Sequence, residues 1–276
     1  MIDLHTHTTA SDGRCSPAEL VARAAAAGVG VLSVTDHDTV AGCEPTAAAC
    51  AAAQLEFVPG IEITAVRDGV DVHVLGYFMD VESPALAQFL ALQREDRISR
   101  VRAMVDLLRG FGMELDAEAI LKPAREDAAK SAGRPWVARA MVEAGYVPTI
   151  SDAFERWLGH GRPAFVPRRG TTPQAVIAQL REAGGIASIA HPGLLEHDEW
   201  LPTFVDAGLD AIEAYHSEHD ATTTSRYVSF ADKAGIAVTG GSDYHGDASH
   251  GALGDVTLPR DAFERIKALA ATRRSG

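Results

Sequence analysis

The chain predicts an α/β fold: one barrel-like parallel sheet wrapped by helices and interrupted by a helical insertion. Three observations lead there. Apolar, strand-like runs alternate with Ala-rich helical stretches over residues 1–94 and again over 170–276, and these two parts are expected to form the barrel. Between them, 95–169 has helical, charged spacing with no strand signal and is expected to form an insertion domain that acts as a substrate lid. A length of 276 residues with 46% apolar content suits a single core with an insertion better than two equal domains.

Each element has its own signal. Ile2 and Leu4 alternate with Asp3, His5 and His7, which reads as a first strand with both imidazoles on one face. Ser16-Pro17-Ala18-Glu19 is a capping box with proline at the first helical position, and the helix it opens ends at Gly28. A buried strand over 30–35 delivers Asp36-His37-Asp38 to its C-terminal end, where α/β proteins place ligands. If that run is extended, His37 points away from both aspartates. A helix near 41–53 leads to a strand at 57–63 carrying Glu62, and a further strand at 71–77 carries His73. Helical spacing then runs from 83 to about 110, followed by shorter helices near 116–121, 135–144 and 150–159. Thr172-Pro173 caps a helix through 183, and strands at 185–190, 210–215 and 236–240 are separated by helices near 198–207 and 221–234. Those strands run out into His191, into Tyr215-His216-Ser217-Glu218-His219, and into Gly241-Ser242-Asp243-Tyr244-His245. A helix near 260–271 closes the chain.

Composition narrows the function classes. No apolar run approaches the roughly 20 residues of a membrane span, and the first ten residues lack a signal-peptide pattern, so a cytoplasmic protein without membrane association is expected. Cys15, Cys43 and Cys50 are odd in number and form no Cys-x-x-Cys pair; they are expected to be reduced and buried. The net charge of −13 is uneven: residues 94–169 hold 14 Lys and Arg against 11 Asp and Glu, the remainder 11 against 27. A basic middle beside an acidic remainder with ten of the eleven histidines fits a multi-cation site next to an anion-facing surface. Nothing in the sequence calls for an obligate protein partner.

The chemistry is concentrated at strand ends. His5, His7, His37, Glu62, His191, Asp243 and His245 all fall at or near such ends, which in a parallel barrel converge on one mouth. With Asp12 and His73 they supply nine nitrogen and oxygen donors and no thiolate, more than one cation uses. Two or three divalent ions are expected, Mn first, with Fe or Zn as alternatives. Arg134 in Gly133-Arg134-Pro135, and Arg168 with Arg169 at the end of a Pro-bounded run, are candidate phosphate contacts, because guanidinium binds phosphate bidentately and stays charged. Solvated surface charge explains them equally well. His216 and His219 are candidate general acids for a leaving group, or equally satisfied surface histidines.

His5-Thr6-His7 with Ser11-Asp12-Gly13, Thr35-Asp36-His37-Asp38, Pro59-Gly60-Ile61-Glu62, His73, Ala190-His191-Pro192 and Gly241-Ser242-Asp243-Tyr244-His245 follow one another in an order that resembles the polymerase and histidinol phosphatase (PHP) family. The resemblance implies a distorted (β/α)7 barrel with a trinuclear metal site. In that site His5, His7, Glu62 and Asp243 would hold one ion, Glu62, His73 and His191 a second, and Asp12, His37 and His245 a third, Glu62 bridging. Gly133-Arg134-Pro135 and Pro163 to Arg168 make the chain similar to the stand-alone group that includes 3′,5′-nucleoside bisphosphate phosphatases and a 5′→3′ exoribonuclease. Trp136 departs from that group, which often has His there; an indole either stacks on a base or packs within the insertion. The implied activity is hydrolysis of a phosphomonoester of a small nucleotide, a metal-held hydroxide attacking phosphorus. Its rivals are 5′→3′ exonuclease action on short RNA or DNA, and a non-catalytic metal-binding accessory module.

Overall fold

The structure is a computed structural model that describes residues 1–127, 130–168, 170–246 and 251–275. Seven strands form one sheet in sequence order: β1 (Ile2–Asp3), β2 (Val31–Val34), β3 (Glu56–Arg67), β4 (Val70–Tyr77), β5 (Ile186–Ile189), β6 (Ala211–His216) and β7 (Ala237–Gly241). The sheet nearly closes on itself. Leu4 N–H donates to Gly240 O (3.1 Å), Asp243 N–H to His5 O (2.9 Å) and His7 N–H to Tyr244 O (2.9 Å), so the chain after β1 is sewn to β7 and its continuation.

One strand corrects the all-parallel expectation. β1 to β3 and β5 to β7 pair in parallel, but β4 runs antiparallel to both β3 and β5. The cause is local: Arg67 pairs with Val70 across Asp68-Gly69, both with positive φ (51° and 82°), the two-residue hairpin that Asp-Gly favours. This reversal also lengthens β3 beyond the expected 57–63.

Helices return the chain between strands: α1 (Pro17–Ala26) and α2 (Cys43–Ala53) in the first half, α7 (Pro173–Glu182), α9 (Leu201–Asp206) and α10 (Ala221–Ala234) in the second, with α11 (Arg260–Ser275) last. Between β4 and α7 lie α3 (Pro84–Gly110), α4 (Ala117–Glu126), α5 (Arg134–Glu143) and α6 (Ile150–Ala153), the last continuing as a π-helical turn over Phe154–Leu158. A short α8 (Pro192–Leu195) follows β5, and a 3₁₀ turn (Asp198–Trp200) precedes α9, replacing the single helix expected near 198–207.

The long α3 links two apolar cores. Leu86 and Leu90 pack with Ile63, Val74, Ile177 and Leu180 against the sheet, whereas Ile98, Val101, Met104 and Leu108 join Leu121, Val137, Met141 and Leu158. The expected boundary at 94/95 therefore falls inside one 27-residue helix. Cys15, Cys43 and Cys50 are free and buried. Among the described residues no helix is long and apolar enough to cross a membrane.

Candidate metal centre

β1 is only two residues long, yet His5 and His7 keep the extended spacing beyond it. Thr6 bridges to Tyr244 on one side, and its hydroxyl donates to Ser33 O (2.6 Å) on the other. Both rings consequently meet the same acids: His5 Nε2 lies 3.2 Å from Asp243 Oδ1 and 3.5 Å from Glu62 Oε2, and His7 Nε2 lies 3.1 and 3.3 Å from the same atoms. Glu62, 1% exposed, is the hub. Its Oε2 is also 3.0 Å from His37 Nδ1, while Oε1 is 2.7 Å from His73 Nδ1 and 3.2 Å from His191 Nε2. Asp12 meets His245 Nε2 at 3.4 Å and His37 Nε2 at 3.7 Å. All nine donors selected from the sequence thus converge, and His37 stands between the Glu62 and Asp12 groups.

Backbone strain sits in the same place. His191 (φ 26°) and Asp243 (φ 55°) adopt left-handed conformations, which surrounding structure must enforce and which cluster at functional sites.

The electrostatics keep the carboxylates of the cluster ionised. Burial penalises the charged carboxylates, but the surrounding imidazoles outweigh it and hold Glu62, Asp12 and Asp243 well below the usual range. Burial pushes His37 down to about 3; His245 is raised to about 10, because Asp12 and Asp243 outweigh its burial. His5 Nε2, both nitrogens of His7, His37 Nδ1, Asp12 Oδ1 and Glu62 Oε2 are buried with no hydrogen-bond partner among the described residues. Each unpaired buried group costs about 1–3 kcal/mol. Divalent cations would satisfy several at once, and donor sets such as His7, Asp12, His37 and His245, or His37, Glu62 and His73, lie within 4.8 Å of one another. The residues present fit hard or borderline divalent ions with nitrogen and oxygen ligands.

A supporting layer holds these side chains, and its main member was not singled out in the sequence. Glu213, fully buried in β6, accepts from His5 Nδ1 (2.9 Å) and from His191 N–H (2.7 Å), which leaves the Nε2 lone pair of His5 facing the cluster. The signal was available: Ala211-Ile212-Glu213-Ala214 places a carboxylate in an apolar strand, the argument that singled out Glu62. Asp36 accepts from Thr8 N–H, the Thr8 hydroxyl and the Ser11 hydroxyl, tying down the loop that carries Asp12. Of Asp36-His37-Asp38, only His37 enters the cluster.

The candidate general acids His216 and His219 lie at and just after the end of β6. His216 is buried behind Asp243, 3.7 Å from its Oδ2, and its Nδ1 accepts from Glu218 N–H. His219 donates from Nδ1 to Ala214 O (3.0 Å) and accepts Gly193 N–H at Nε2 (3.1 Å). Its pKa is lowered, chiefly by burial, so the ring is neutral and its one proton is committed to the backbone. Neither ring lines the cavity over the cluster. In this geometry both support the site from behind.

Arg134 and Arg168 converge on one carboxylate. Arg134 Nη2 is 3.3 Å and Arg168 Nε 3.6 Å from Asp71 Oδ2, and Arg168 also reaches Asp38 at 3.5 Å. Arg97 binds Asp38 and Arg100 lies 3.8 Å from Asp71, so four guanidinium groups face two carboxylates. Burial and the neighbouring cations push Arg100 down to about 9 and Arg168 to about 10. Arg169 lies outside the described residues. The cavity over the cluster, about 540 Å³, is walled instead by Arg14, Arg139, Pro135 and Phe154, with Asp12, His37, Glu62, His73, His191, Asp243 and His245 at its floor.

A nearly closed barrel whose strand ends present this cluster of nitrogen and oxygen donors defines a metal-dependent hydrolase. The PHP domain pattern matches residues 3–126. The chain is 33% identical over 250 residues to the 5′-3′ exoribonuclease Rnm of Salmonella typhimurium, covering 88% of this chain and 84% of the relative. It is 31% identical over 255 residues to the 3′,5′-nucleoside bisphosphate phosphatase of Chromobacterium violaceum, covering 91% and 89%. A solved structure assigned as a metal-dependent phosphoesterase from Bifidobacterium adolescentis superposes with a TM-score of 0.88 at 32% identity, covering 96% of this chain and 95% of that one. The chain belongs to the PHP domain family, and its class of activity is metal-dependent phosphoesterase.

Proposed function

We propose that this chain hydrolyses a phosphomonoester of a small nucleotide, a 3′,5′-nucleoside bisphosphate being the first candidate substrate. The observation that carries the reading is the buried donor cluster with its unpaired polar atoms, opening into a cavity of about 540 Å³, a size that suits one nucleotide. His5, His7, Glu62 and Asp243 would hold one ion, Glu62, His73 and His191 a second, and Asp12, His37 and His245 a third, with Mn the first choice. When bound, such ions polarise a phosphoryl oxygen and activate water.

The chain's own residues supply the rest. Glu213 keeps His5 in one tautomer, Asp36 holds the Asp12 loop, and Glu62 offers one oxygen to each of two donor sets. The surplus of guanidinium over carboxylate around Asp38 and Asp71 supports an anion-binding role for Arg134 and Arg168. Residues 1–94 and 170–276 would form the metal-binding barrel, with 95–169 as the lid that supplies those arginines. Three free, buried cysteines support a reducing compartment, the cytoplasm.

The test is phosphate release by metal-loaded protein from 3′-phosphoadenosine 5′-phosphate and from a short 5′-phosphorylated oligoribonucleotide, with His7→Ala as control. One equivalent of phosphate from the nucleotide, lost in the variant, is the expected result. Mononucleotides from the oligomer alone would make the chain an exonuclease. Inactivity towards both, with metals bound, would overturn the reading in favour of an accessory module.

A further inference from the structure

An irregularity in β6 decides what stands behind the donor cluster. Glu213 pairs with Thr239 and Tyr215 with the next residue, Gly240, so Ala214 is an extra residue in the register. Side chains alternate along a strand, and one extra residue reverses the facing of all that follow. Glu213 and His216 would point to opposite faces of a regular strand. Past the bulge both are buried against the cluster, Glu213 on His5 and His216 on Asp243, while Tyr215 is only half-buried.

The ring of His216 is oriented as well as buried. Its Nδ1 accepts Glu218 N–H (3.2 Å), which places the proton of the neutral imidazole on Nε2. That Nε2 has no hydrogen-bond partner among the described residues, and the carboxylate oxygen it faces is Asp243 Oδ2, 3.7 Å away. Asp243 is divided accordingly. Its Oδ1 lies 3.1 Å from His7 Nε2, 3.2 Å from His5 Nε2 and 3.6 Å from His245 Nδ1, whereas Oδ2 turns to His216. His5, Glu213 and His216 also bring one donor atom each within 4.8 Å of one another, the spacing of a further cation site. Their hydrogen bonds decide against one: His5 Nδ1 is engaged by Glu213 (2.9 Å), and a protonated Nε2 has no lone pair to give.

We propose that His216 is a positioning residue for the metal centre: its Nε2–H holds Oδ2 of Asp243 and leaves Oδ1 to the first ion. The contact is long at 3.7 Å, as hydrogen bonds in unliganded sites often are, and is expected to shorten once Asp243 takes up its ion. His216 thereby does for the carboxylate what Glu213 does for His5. The role rests on the proposed assignment of Asp243 as a metal ligand.

The test uses the full chain loaded with Zn, a closed-shell ion that permits NMR. In protein labelled with ¹⁵N at histidine, Nε2 of His216, identified by its loss in His216→Gln, should carry a proton. A bare, metal-shifted Nε2 would make His216 a ligand and overturn the role. Metal affinity, read by competition with a fluorescent chelator, is the second arm. His216→Leu should weaken it about 10- to 100-fold, whereas His216→Gln, whose NH₂ stands near the lost Nε2, should stay within about threefold of the wild type. A role in packing alone would treat the apolar leucine no worse than glutamine. Equal weakening in both variants, or none in His216→Leu, overturns the proposal, and the NMR arm decides it even if His216→Leu does not fold. A wild-type chain that binds no ion would remove the metal reading and this role with it; ions bound equally by the wild type and both variants would remove the role alone.

Discussion

Glu213 accepts hydrogen bonds at both carboxylate oxygens, from the His5 ring and from the His191 backbone. A glutamine offers one acceptor oxygen and one NH₂ donor, so it cannot accept both. Glu213→Gln is therefore expected to weaken metal binding about 10- to 100-fold while leaving the fold intact, read by competition with a fluorescent chelator. Cys43 tests burial at the same scale. Burial pushes its thiol up to about 12, and its Sγ–H donates to Gly60 O (3.3 Å). A raised pKa means almost no thiolate at neutral pH, so Cys43 should resist iodoacetamide at pH 8 in the native protein and react once urea unfolds it. Native-state labelling seen by mass spectrometry would contradict its placement.

At the scale of elements, α3 is fastened to the barrel mouth by Arg97. Its guanidinium binds Asp38, Ala132 O (3.1 Å) and the Thr64 hydroxyl (3.4 Å), and Asp38 in turn accepts Thr64 N–H (3.0 Å). Arg97→Met would leave Asp38 buried with the Thr64 N–H bond and the longer Arg168 ion pair but without its close cation, at a cost of about 3 kcal/mol; the midpoint of urea unfolding should fall accordingly. The β7 seam is equally tight. A Cβ at Gly241 would meet His5 N at 2.3 Å and His5 Cβ at 2.4 Å, so Gly241→Ala must push β7 from the first histidine. The variant is expected to lose both thermal stability and bound metal, whereas the same change at Gly69, where a Cβ meets nothing within 4 Å, should leave the metal content intact. Gly69 has φ 82°, so its alanine variant pays only in hairpin stability.

Across the whole molecule, the cluster couples metal, proton and fold. Ions that bind the assembled site and not the unfolded chain stabilise by mass action, so chelation should lower Tm and divalent metal should restore it in a concentration-dependent way. The pH dependence separates the two forms. In the metal-free protein His245 titrates near 10, above its unfolded value near 6.5. A raised folded pKa contributes stability that is complete below the unfolded value and lost as pH rises through the folded one. Chelated protein should therefore lose stability between about pH 6.5 and 10. Metal-loaded protein should not follow it there, because a cation takes the place of that proton. Urea melts across this range, with and without metal, check both statements.

Most elements were legible because they rest on local chemistry. Ser16 and Glu19 form the capping box in the structure, α10 spans the same 221–234, and α3 begins one residue after its Ser83 cap. The reversal at Asp68-Gly69 was equally local and was passed over, since strand–helix alternation favours a parallel reading. The candidate donors could be chosen because acids and imidazoles at strand ends in apolar surroundings are conspicuous. Their partners could not, since Glu213 lies 208 residues from His5 and Asp71 gathers arginines from three separate segments.

By itself the sequence determined the order of strands and helices, the absence of thiolate from the donor set and the family. Only the tertiary structure decided that Glu213 orients the His5 ring, that His219 is neutral and committed to backbone, and that Arg139 rather than Arg134 walls the metal cavity. The reason is physical: caps, turns and periodicity act over a few residues, whereas burial, hydrogen-bond partners and local charge are set by whichever distant segments the barrel brings together.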